Sequence, residues 1–192
     1  MHAALLSNIT GHVALDEKDV PRITAAFKLR KLRKRQYLLQ AGDIARHENF
    51  VCKGLLRAFT VDGEGHEHVV MFGMENWWVN DLYSFLTQSP ATQHIEAIED
   101  SEVLQVEKDE LERLYHEIPQ LNKFFRILLQ NAFVANQQRA LAAISQTAEE
   151  QYLGFIRRFP SLDQRVPQLQ VASYLGMTPE TISRIRRQLA SR

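Results

Sequence analysis

The sequence predicts an α+β protein in which an N-terminal antiparallel β-roll precedes a set of helices. Residues 35–107 contain short runs that alternate apolar and polar side chains, separated by turn signals such as Asp62–Gly65. Several short strands at this spacing are typical of an antiparallel barrel or jelly roll. Residues 119–145 have the periodicity of one long helix. Residues 170–189 have the pattern of two short helices separated by Gly176.

The N-terminal residues 5–27 have a helical pattern that includes Val20, Ile23 and Phe27. The following run, KLRKLRKR at 28–35, is interpreted as a solvated helix end that leads into the first strand. Nucleic-acid binding by this run is the open alternative. From Asp109 onward the periodicity is helical.

The composition is that of a globular chain able to bury a core, with 45% hydrophobic residues and a net charge of zero. Cys52 is the single cysteine, which excludes an intramolecular disulfide or a cysteine-ligated cluster. We interpret it as a small buried apolar residue. Because no signal peptide or membrane-length apolar run is present, we expect a cytoplasmic protein.

Charge is distributed unevenly along the chain. Residues 61–112 hold 1 Lys or Arg and 13 Asp or Glu, whereas residues 1–60 hold 11 and 5. Since the whole chain is neutral, we expect any contact with DNA to be local.

The long helix at 119–145 carries two stripes, of which the second is partly polar. A helix buried against one neighbour needs a single stripe, so two stripes indicate a second packing partner, which we expect to be another copy of the chain. A helix central to one large core is the alternative. The stripe assigned to the dimer interface comprises Leu121, Phe125, Leu128, Ala132 and Ala135.

The C-terminal pattern predicts a helix–turn–helix. Gly176 can take a positive φ and end the first helix, and Thr178 and Pro179 suit the start of the second. Ile182, Ile185 and Leu189 form a buried face. Four side chains are left exposed for a major groove: Glu180, Ser183, Arg184 and Arg187. An amphipathic hairpin with a solvated basic face is the alternative.

GMTPETISRIRRQL resembles the recognition-helix signature of the Crp/Fnr regulators, which read Glu-Thr-x-Ser-Arg in this register. The strand zone resembles their cyclic-nucleotide-binding-type jelly roll, and the long helix is similar to their dimerisation helix. The resemblance implies a β-roll sensor domain at 1–118, a dimerisation helix at 119–145 and a DNA-binding domain at 146–192. It implies base contacts by Glu180, Ser183 and Arg184, and phosphate contacts by Gln168, Thr178 and Thr181. Arg187, one turn beyond Arg184, is a further expected phosphate contact.

The sequence departs from the family pattern in two places. The chain ends at Arg192, so we expect a helix–turn–helix domain without a wing. In the recognition helix, Pro179 stands where relatives often have a polar residue that contacts a base. In the β-roll, Asn80-Asp81 stands where the family's phosphate cassette has Gly-Glu, and Ala91-Thr92 stands where it has Arg-Ser. Alanine offers no cation to a phosphate, so we expect no response to cyclic AMP. The candidate effector pocket is Trp77, Trp78, Asn80, Asp81, Ala91 and Thr92, although two aromatic residues in a β domain are more often part of the core.

A metal-dependent enzyme is the alternative from another class, because His66-Glu67-His68 on a strand would place both imidazoles on one face. The family resemblance outweighs it, and we expect no enzyme activity, metal or cofactor. We expect a dimeric, sequence-specific transcription regulator whose partners are double-stranded DNA, a second copy, RNA polymerase and an unidentified small-molecule effector, with no membrane contact. A dimeric sensing or interaction module with weak or lost DNA binding is the second hypothesis.

Overall fold

The computed structural model describes residues 1–190, which form two compact units. The first unit comprises Met1–Thr60 and Val70–Gln130, and the second comprises Val61–Val69 and the chain from Asn131 onward. Ser191 and Arg192, the last residues of the predicted C-terminal domain, lie outside the described residues. The elements, in chain order, are α1 (His2–Thr10), α2 (Val20–Ala26), β1 (Lys28–Leu32), β2 (Tyr37–Leu39), β3 (His47–Lys53), β4 (Leu56–Val61), β5 (Glu67–Gly73), α3 (Leu82–Thr87), β6 (His94–Ala97), β7 (Ser101–Glu107), α4 (Lys108–Glu117), α5 (Pro119–Ser145), α6 (Ala148–Arg158), α7 (Leu162–Arg165), α8 (Gln168–Leu175) and α9 (Pro179–Ala190).

Two predictions for the N-terminal region are wrong. The predicted helical segment at 5–27 is two helices, α1 and α2, separated by a non-helical stretch. The basic run at 28–35 is not a helix end, because its first five residues form β1 and pair with β7 along their whole length. This strand was not predicted because lysine and arginine are not typical strand residues. β-propensity is a weak signal where cross-strand pairing decides the structure.

The strands form the predicted antiparallel β-roll from two sheets. One sheet has the order β1-β7-β3, and the other has the order β2-β6-β4-β5. Gly54 lies between β3 and β4 with a φ of +92°. A Cβ at this position would lie 2.3 Å from the Ser101 Oγ, so the close approach to β7 requires glycine.

The three-stranded sheet has an apolar core on each face. Phe50 of β3 packs with residues of α1, α2, α4 and α5, whereas the next residue, Val51, packs inside the roll with Leu56 and Ile95 of the other sheet. Alternate side chains of a strand point to opposite faces, so one strand supplies both cores. Cys52 packs against the helical core and is half-buried, and burial raises the pKa of its thiol.

The helix α5 matches the predicted bounds of 119–145, but its two ends differ in burial. Leu121 and Phe125, which we had assigned to a dimer interface, are 0% and 5% exposed within the chain's own core. That assignment is wrong for these two residues, because the first turns of α5 pack on the helices and sheet of the first unit. The exposed large apolar side chains of α5 follow later, from Leu129 to Ile144.

In the second unit, α6 begins with a capping box. The Thr147 Oγ1 accepts a hydrogen bond from the Glu150 N–H, and the Glu150 side chain accepts one from the Thr147 N–H. This reciprocal pair fixes the start of the helix. Its buried Tyr152 forms part of the support for α9, which is described below, and its buried Phe155 packs on Phe159 and Tyr174.

Candidate nucleic-acid interface

The helix–turn–helix forms as the sequence predicts. Gly176 ends α8 with a φ of +67°, and Pro179 is the first residue of α9. Val171 and Ala172 of α8 and Ile182 and Ile185 of α9 are fully buried or nearly so. These four side chains hold the second helix against the first, so the opposite face of α9 is left to solvent.

The start of α9 is fixed by side chains that we had assigned to phosphate contacts. The Thr178 Oγ1 accepts a hydrogen bond from the Thr181 N–H at 3.3 Å, and the Gln168 Nε2 donates one to the Pro179 carbonyl at 2.8 Å. Thr178 therefore caps the helix, as its position predicts. Glu180 is exposed in the first turn, where its own backbone N–H and the Thr178 hydroxyl lower the pKa of its carboxyl.

The exposed face of α9 carries two arginines that keep their full hydrogen-bonding capacity. Arg184 and Arg187 are exposed, and across residues 1–190 neither forms a hydrogen bond or an ion pair. Ser183 is half-buried beside them. A guanidinium has five donors in a rigid fork, so each arginine can bind an anion or a guanine edge without first breaking an internal contact.

Arg186, which the sequence analysis did not single out, has a different role on the same helix. Its Nε donates to the Tyr152 hydroxyl at 2.7 Å, and its Nη2 pairs with the Asp163 carboxylate. The Tyr152 hydroxyl donates to Asp163 in turn, and burial raises the pKa of this phenol, which keeps the donor proton in place. Arg186 follows the buried Ile185 directly and lies at the edge of the buried stripe, which is the signal that could have revealed it.

The candidate effector residues fall into separate surroundings. The indole of Trp78 packs on Phe50 and Phe125 at ring distances of 5.2 and 4.8 Å, and its N–H donates to the Asn8 Oδ1 at 3.0 Å. This places Trp78 in the helical core. Trp77 is half-buried, and its carbonyl accepts a hydrogen bond from the Val51 N–H.

Asp81, in contrast, lies where its carboxylate collects backbone donors. It is 0% exposed and accepts hydrogen bonds from the N–H groups of Ser84, Thr92 and Gln93 at 3.0, 3.0 and 3.2 Å. Ala91 is buried, and its backbone N–H and carbonyl both form hydrogen bonds within the chain. Asp81 and Thr92 are therefore brought together as predicted, but as a closed internal network. The adjacent Asn80 has a buried side-chain amide that lies beside the Glu48 carboxyl.

A family profile and several relatives match this chain. The profile described as "Cyclic nucleotide-binding domain" matches residues 29–117. The "Anaerobic regulatory protein" of Haemophilus influenzae is 25% identical over 89% of this chain and 70% of its own length. The "Transcriptional activator protein FnrA" of Stutzerimonas stutzeri is 26% identical over 94% and 78%. These matches support a Crp/Fnr family regulator.

Solved structures agree with the Crp/Fnr fold. FixK2 from Bradyrhizobium japonicum has a TM-score of 0.74 at 20% identity over 86% of this chain and 85% of its own. The regulator CLP from Xanthomonas campestris has a TM-score of 0.73 at 14% identity over 92% of each chain. The relatives named above are transcription regulators, and they support a Crp/Fnr-type transcription regulator. Within the described residues, no helix has both the length and the apolar character needed to cross a bilayer.

The histidines that raised the enzyme alternative lie in the β4–β5 hairpin. His66 is in the turn rather than on the strand, and the His68 Nε2 lies 2.7 Å from the Asp62 Oδ2. These contacts lower the pKa of the Asp62 carboxyl, with the His68 hydrogen bond as the main cause. In the part of the chain that the structure describes, no group of three or more His, Cys, Asp or Glu could hold a metal ion.

The same hairpin meets α8 within the second unit. The Ser173 Oγ accepts a hydrogen bond from the Val69 N–H at 2.9 Å and donates one to the Glu67 carbonyl at 3.0 Å. β5 is an edge strand, so these groups would otherwise face solvent. The Ser173 hydroxyl of the helix–turn–helix thus forms hydrogen bonds with both of these backbone groups. No sequence pattern predicts this contact, because it joins residues more than 100 positions apart.

Proposed function

We propose that this chain is a cytoplasmic homodimeric regulator that binds DNA sequence-specifically by placing α9 in the major groove. The observation that carries the proposal is the contrast between arginines on this helix. Arg186 is used to anchor α9, whereas Arg184 and Arg187 are exposed and unpaired within residues 1–190. A recognition helix needs both features, a rigid support and free side chains in its N-terminal half.

The roles on the helix follow from chemistry and position. Arg184 is assigned to a guanine, whose O6 and N7 match the guanidinium fork, and Glu180 to the amino group of a cytosine or adenine. Ser183, between them, can donate to or accept from a base edge. Arg187 lies one turn further along and is assigned to a phosphate, with Thr181 as a second phosphate contact. Gln168 and Thr178 act mainly by fixing the start of α9, since their side chains already make internal hydrogen bonds.

The second copy is assigned to a seam along the exposed part of α5. The exposed apolar residues at heptad spacings are Val134, Leu141 and Ile144, with Gln137 at an intervening position. Val134, Leu141 and Ile144 are 49%, 59% and 85% exposed. A sustained 3–4 spacing of apolar side chains is the pattern of a coiled-coil seam, and polar residues within it select register. This seam replaces the stripe through Leu121 and Phe125.

A cyclic nucleotide is not the proposed effector. The Asp81 carboxylate already accepts the N–H groups of Ser84, Thr92 and Gln93, so those donors are not free for a phosphate. A second anion beside this buried carboxylate would be repelled, and the chain has no Lys or Arg from 58 to 107 to compensate. The proposed effector is an unidentified small molecule, and RNA polymerase is the expected protein partner.

Selection from random duplex DNA at fixed salt tests this proposal. We expect the wild-type protein to select a two-fold motif whose half-sites are centred about one helical turn apart, because a two-fold dimer presents two recognition helices. Failure to select any motif would contradict the proposal and favour a dimeric sensing module with lost DNA binding.

A further inference from the structure

A pocket of about 420 Å³ in the first unit is lined by an uneven set of charges. It lies where the loop before α2 meets the junction between α4 and α5. Its charged lining residues are three acids and two bases: Asp16, Asp19, Glu117, Lys18 and Arg22. At neutral pH the lining therefore carries one negative charge in excess, which a ligand with a single positive charge would balance.

The two basic side chains are already paired with two of the acids. The Lys18 Nζ lies 3.5 Å from the Asp16 Oδ2, and the Arg22 Nη1 lies 3.7 Å from the Glu117 Oε2. In both pairs each side chain is at least 41% exposed, so these are surface ion pairs. Neither base pairs with Asp19, so the excess negative charge belongs to the Asp19 carboxylate.

Asp19 has a buried side chain for which the first unit provides no partner. The residue is 5% exposed, and across residues 1–190 its carboxylate forms no hydrogen bond or ion pair. It stands directly before α2, but its side chain does not cap that helix. Burial of an unpaired carboxylate is costly, and buried polar groups normally have hydrogen-bond partners. Because Asp19 lines the pocket, a cationic ligand there would supply the missing donors.

An ammonium group fits these surroundings better than an anion or a metal ion. The excess negative charge would repel an anion. Within the described residues, no group of three or more His, Cys, Asp or Glu could hold a metal ion. The volume also exceeds what a single ion needs, and it falls in the range of small-molecule pockets, which begins at about 300 Å³.

The remaining lining residues suit the other parts of such a ligand. A primary ammonium has three N–H donors, two of which can bind the two oxygens of Asp19. Gln120, which lines the same pocket, has a side-chain carbonyl that can accept the third. The ring of Pro119 offers apolar surface to a short aliphatic chain.

We propose that this pocket binds a small organic cation that carries one primary ammonium group on a short aliphatic chain. The Asp19 carboxylate accepts the N–H groups of the ligand, in charge-assisted hydrogen bonds that are stronger than neutral ones. Pro119 and Gln120 are the first residues of α5, so the ligand would contact the helix to which the second copy is assigned. The binding itself does not depend on the proposed function.

The test is a titration of the isotope-labelled intact chain, in phosphate buffer free of other amines, followed by the NMR shifts of its backbone amides. The probe is n-butylamine, which is protonated at neutral pH, and it is added to about 10 mM, a range that covers millimolar affinities. Two other probes serve as controls. The alcohol n-butanol has the same chain without the charge, and tetramethylammonium has the charge without an N–H donor.

We expect n-butylamine to bind with a Kd of about 1 mM or below, a value within reach of a ligand with so few atoms. The largest shifts should lie at residues 16–22 and 117–120. Both control probes should bind at least about tenfold more weakly, because the alcohol lacks the charge and tetramethylammonium lacks the donors that the Asp19 carboxylate accepts.

Two matched variants each remove one carboxylate from the lining. Asp19→Asn should weaken n-butylamine binding at least about tenfold, because it removes the unpaired charge. Asp16→Asn should weaken it less than about threefold, since Lys18 already offsets the charge that is lost. Asparagine has nearly the same shape as aspartate and suits the position before a helix, so both variants should fold, and the amide spectrum of each one shows whether it does.

Three results would overturn the inference. Equal binding of n-butanol or tetramethylammonium would show that the pocket does not recognise an ammonium through its N–H groups. Wild-type affinity in folded Asp19→Asn would remove Asp19 from the site. Calcium ions that saturate the same amides and displace n-butylamine would assign the pocket to a metal ion. Because no DNA is present, a chain that selects no DNA motif but binds n-butylamine through Asp19 contradicts the proposed function alone.

Discussion

The loop around Asp81 and the recognition helix α9 differ in where their polar groups find partners. Asp81 is buried and accepts three backbone hydrogen bonds from its own chain. Arg184 and Arg187 are exposed, and no other residue between 1 and 190 pairs with them. The first region resembles a ligand site in sequence position but is closed by an internal carboxylate. Hydrogen-bonding capacity that is already used stabilises the fold, and capacity left free is what can bind a partner.

Removal of the internal carboxylate should have the largest effect. Asp81→Ala leaves the buried N–H of Ser84 and the partly buried N–H groups of Thr92 and Gln93 without this acceptor, which should lower the free energy of unfolding by about 3 to 5 kcal/mol. Trp77 and Trp78, the two tryptophans, both lie in the first unit, so urea unfolding followed by their fluorescence reports on this region. Asp16→Ala, which removes an exposed carboxylate, should change stability by less than about 0.5 kcal/mol. Equal effects of the two substitutions would show that the Asp81 network is not a structural element.

The seam on α5 extends the comparison to apolar groups. Val134→Glu with Leu141→Glu should raise the dimer dissociation constant at least about a hundredfold, because the charges would be buried unpaired between the helices. Ala132→Glu with Ala135→Glu is the matched control on the other stripe and should leave a dimer. Analytical ultracentrifugation at micromolar concentration distinguishes the two. Monomers formed only by the control pair would restore the original stripe.

Glu48 is the buried carboxyl against which Asp81 can be compared. It is 8% exposed, and burial raises the pKa of its carboxyl from 4.5 to about 7. The nearby Asn80 amide lowers this pKa, but by less than burial raises it. Ionisation therefore favours the unfolded chain, and stability falls as the pH rises from about 4.5 to 7 and is level above it. Glu48→Gln should gain roughly 2 to 3 kcal/mol at pH 8 and little at pH 4. Urea titrations at both pH values check this, and a pH-independent gain would contradict it.

Periodicity was enough to predict the β-roll, the long helix and the capped helix–turn–helix. It could not predict β1, where lysine and arginine occupy a strand that pairs with β7. It also assigned Leu121 and Phe125 to a dimer surface, because a helical stripe does not show which neighbour covers it. The candidate base contacts were accessible to sequence reasoning, since an exposed helical face follows from spacing. The roles of Arg186 and Ser173 were not, because each depends on residues distant in the chain.

The central claim is that Arg184 is free to read DNA whereas Arg186 is held by the fold. A double-mutant cycle tests it most directly: wild type and Arg184→Ala are each titrated, at fixed salt, with the selected operator and with duplexes in which one guanine per half-site is replaced. We predict a coupling energy of about 1 to 3 kcal/mol at one base pair of each half-site. Arg186→Ala should weaken binding to all these duplexes equally, because it loosens α9 without contacting a base. If Arg184→Ala keeps the full wild-type preference at every guanine, the assignment of α9 as a recognition helix read through Arg184 is contradicted.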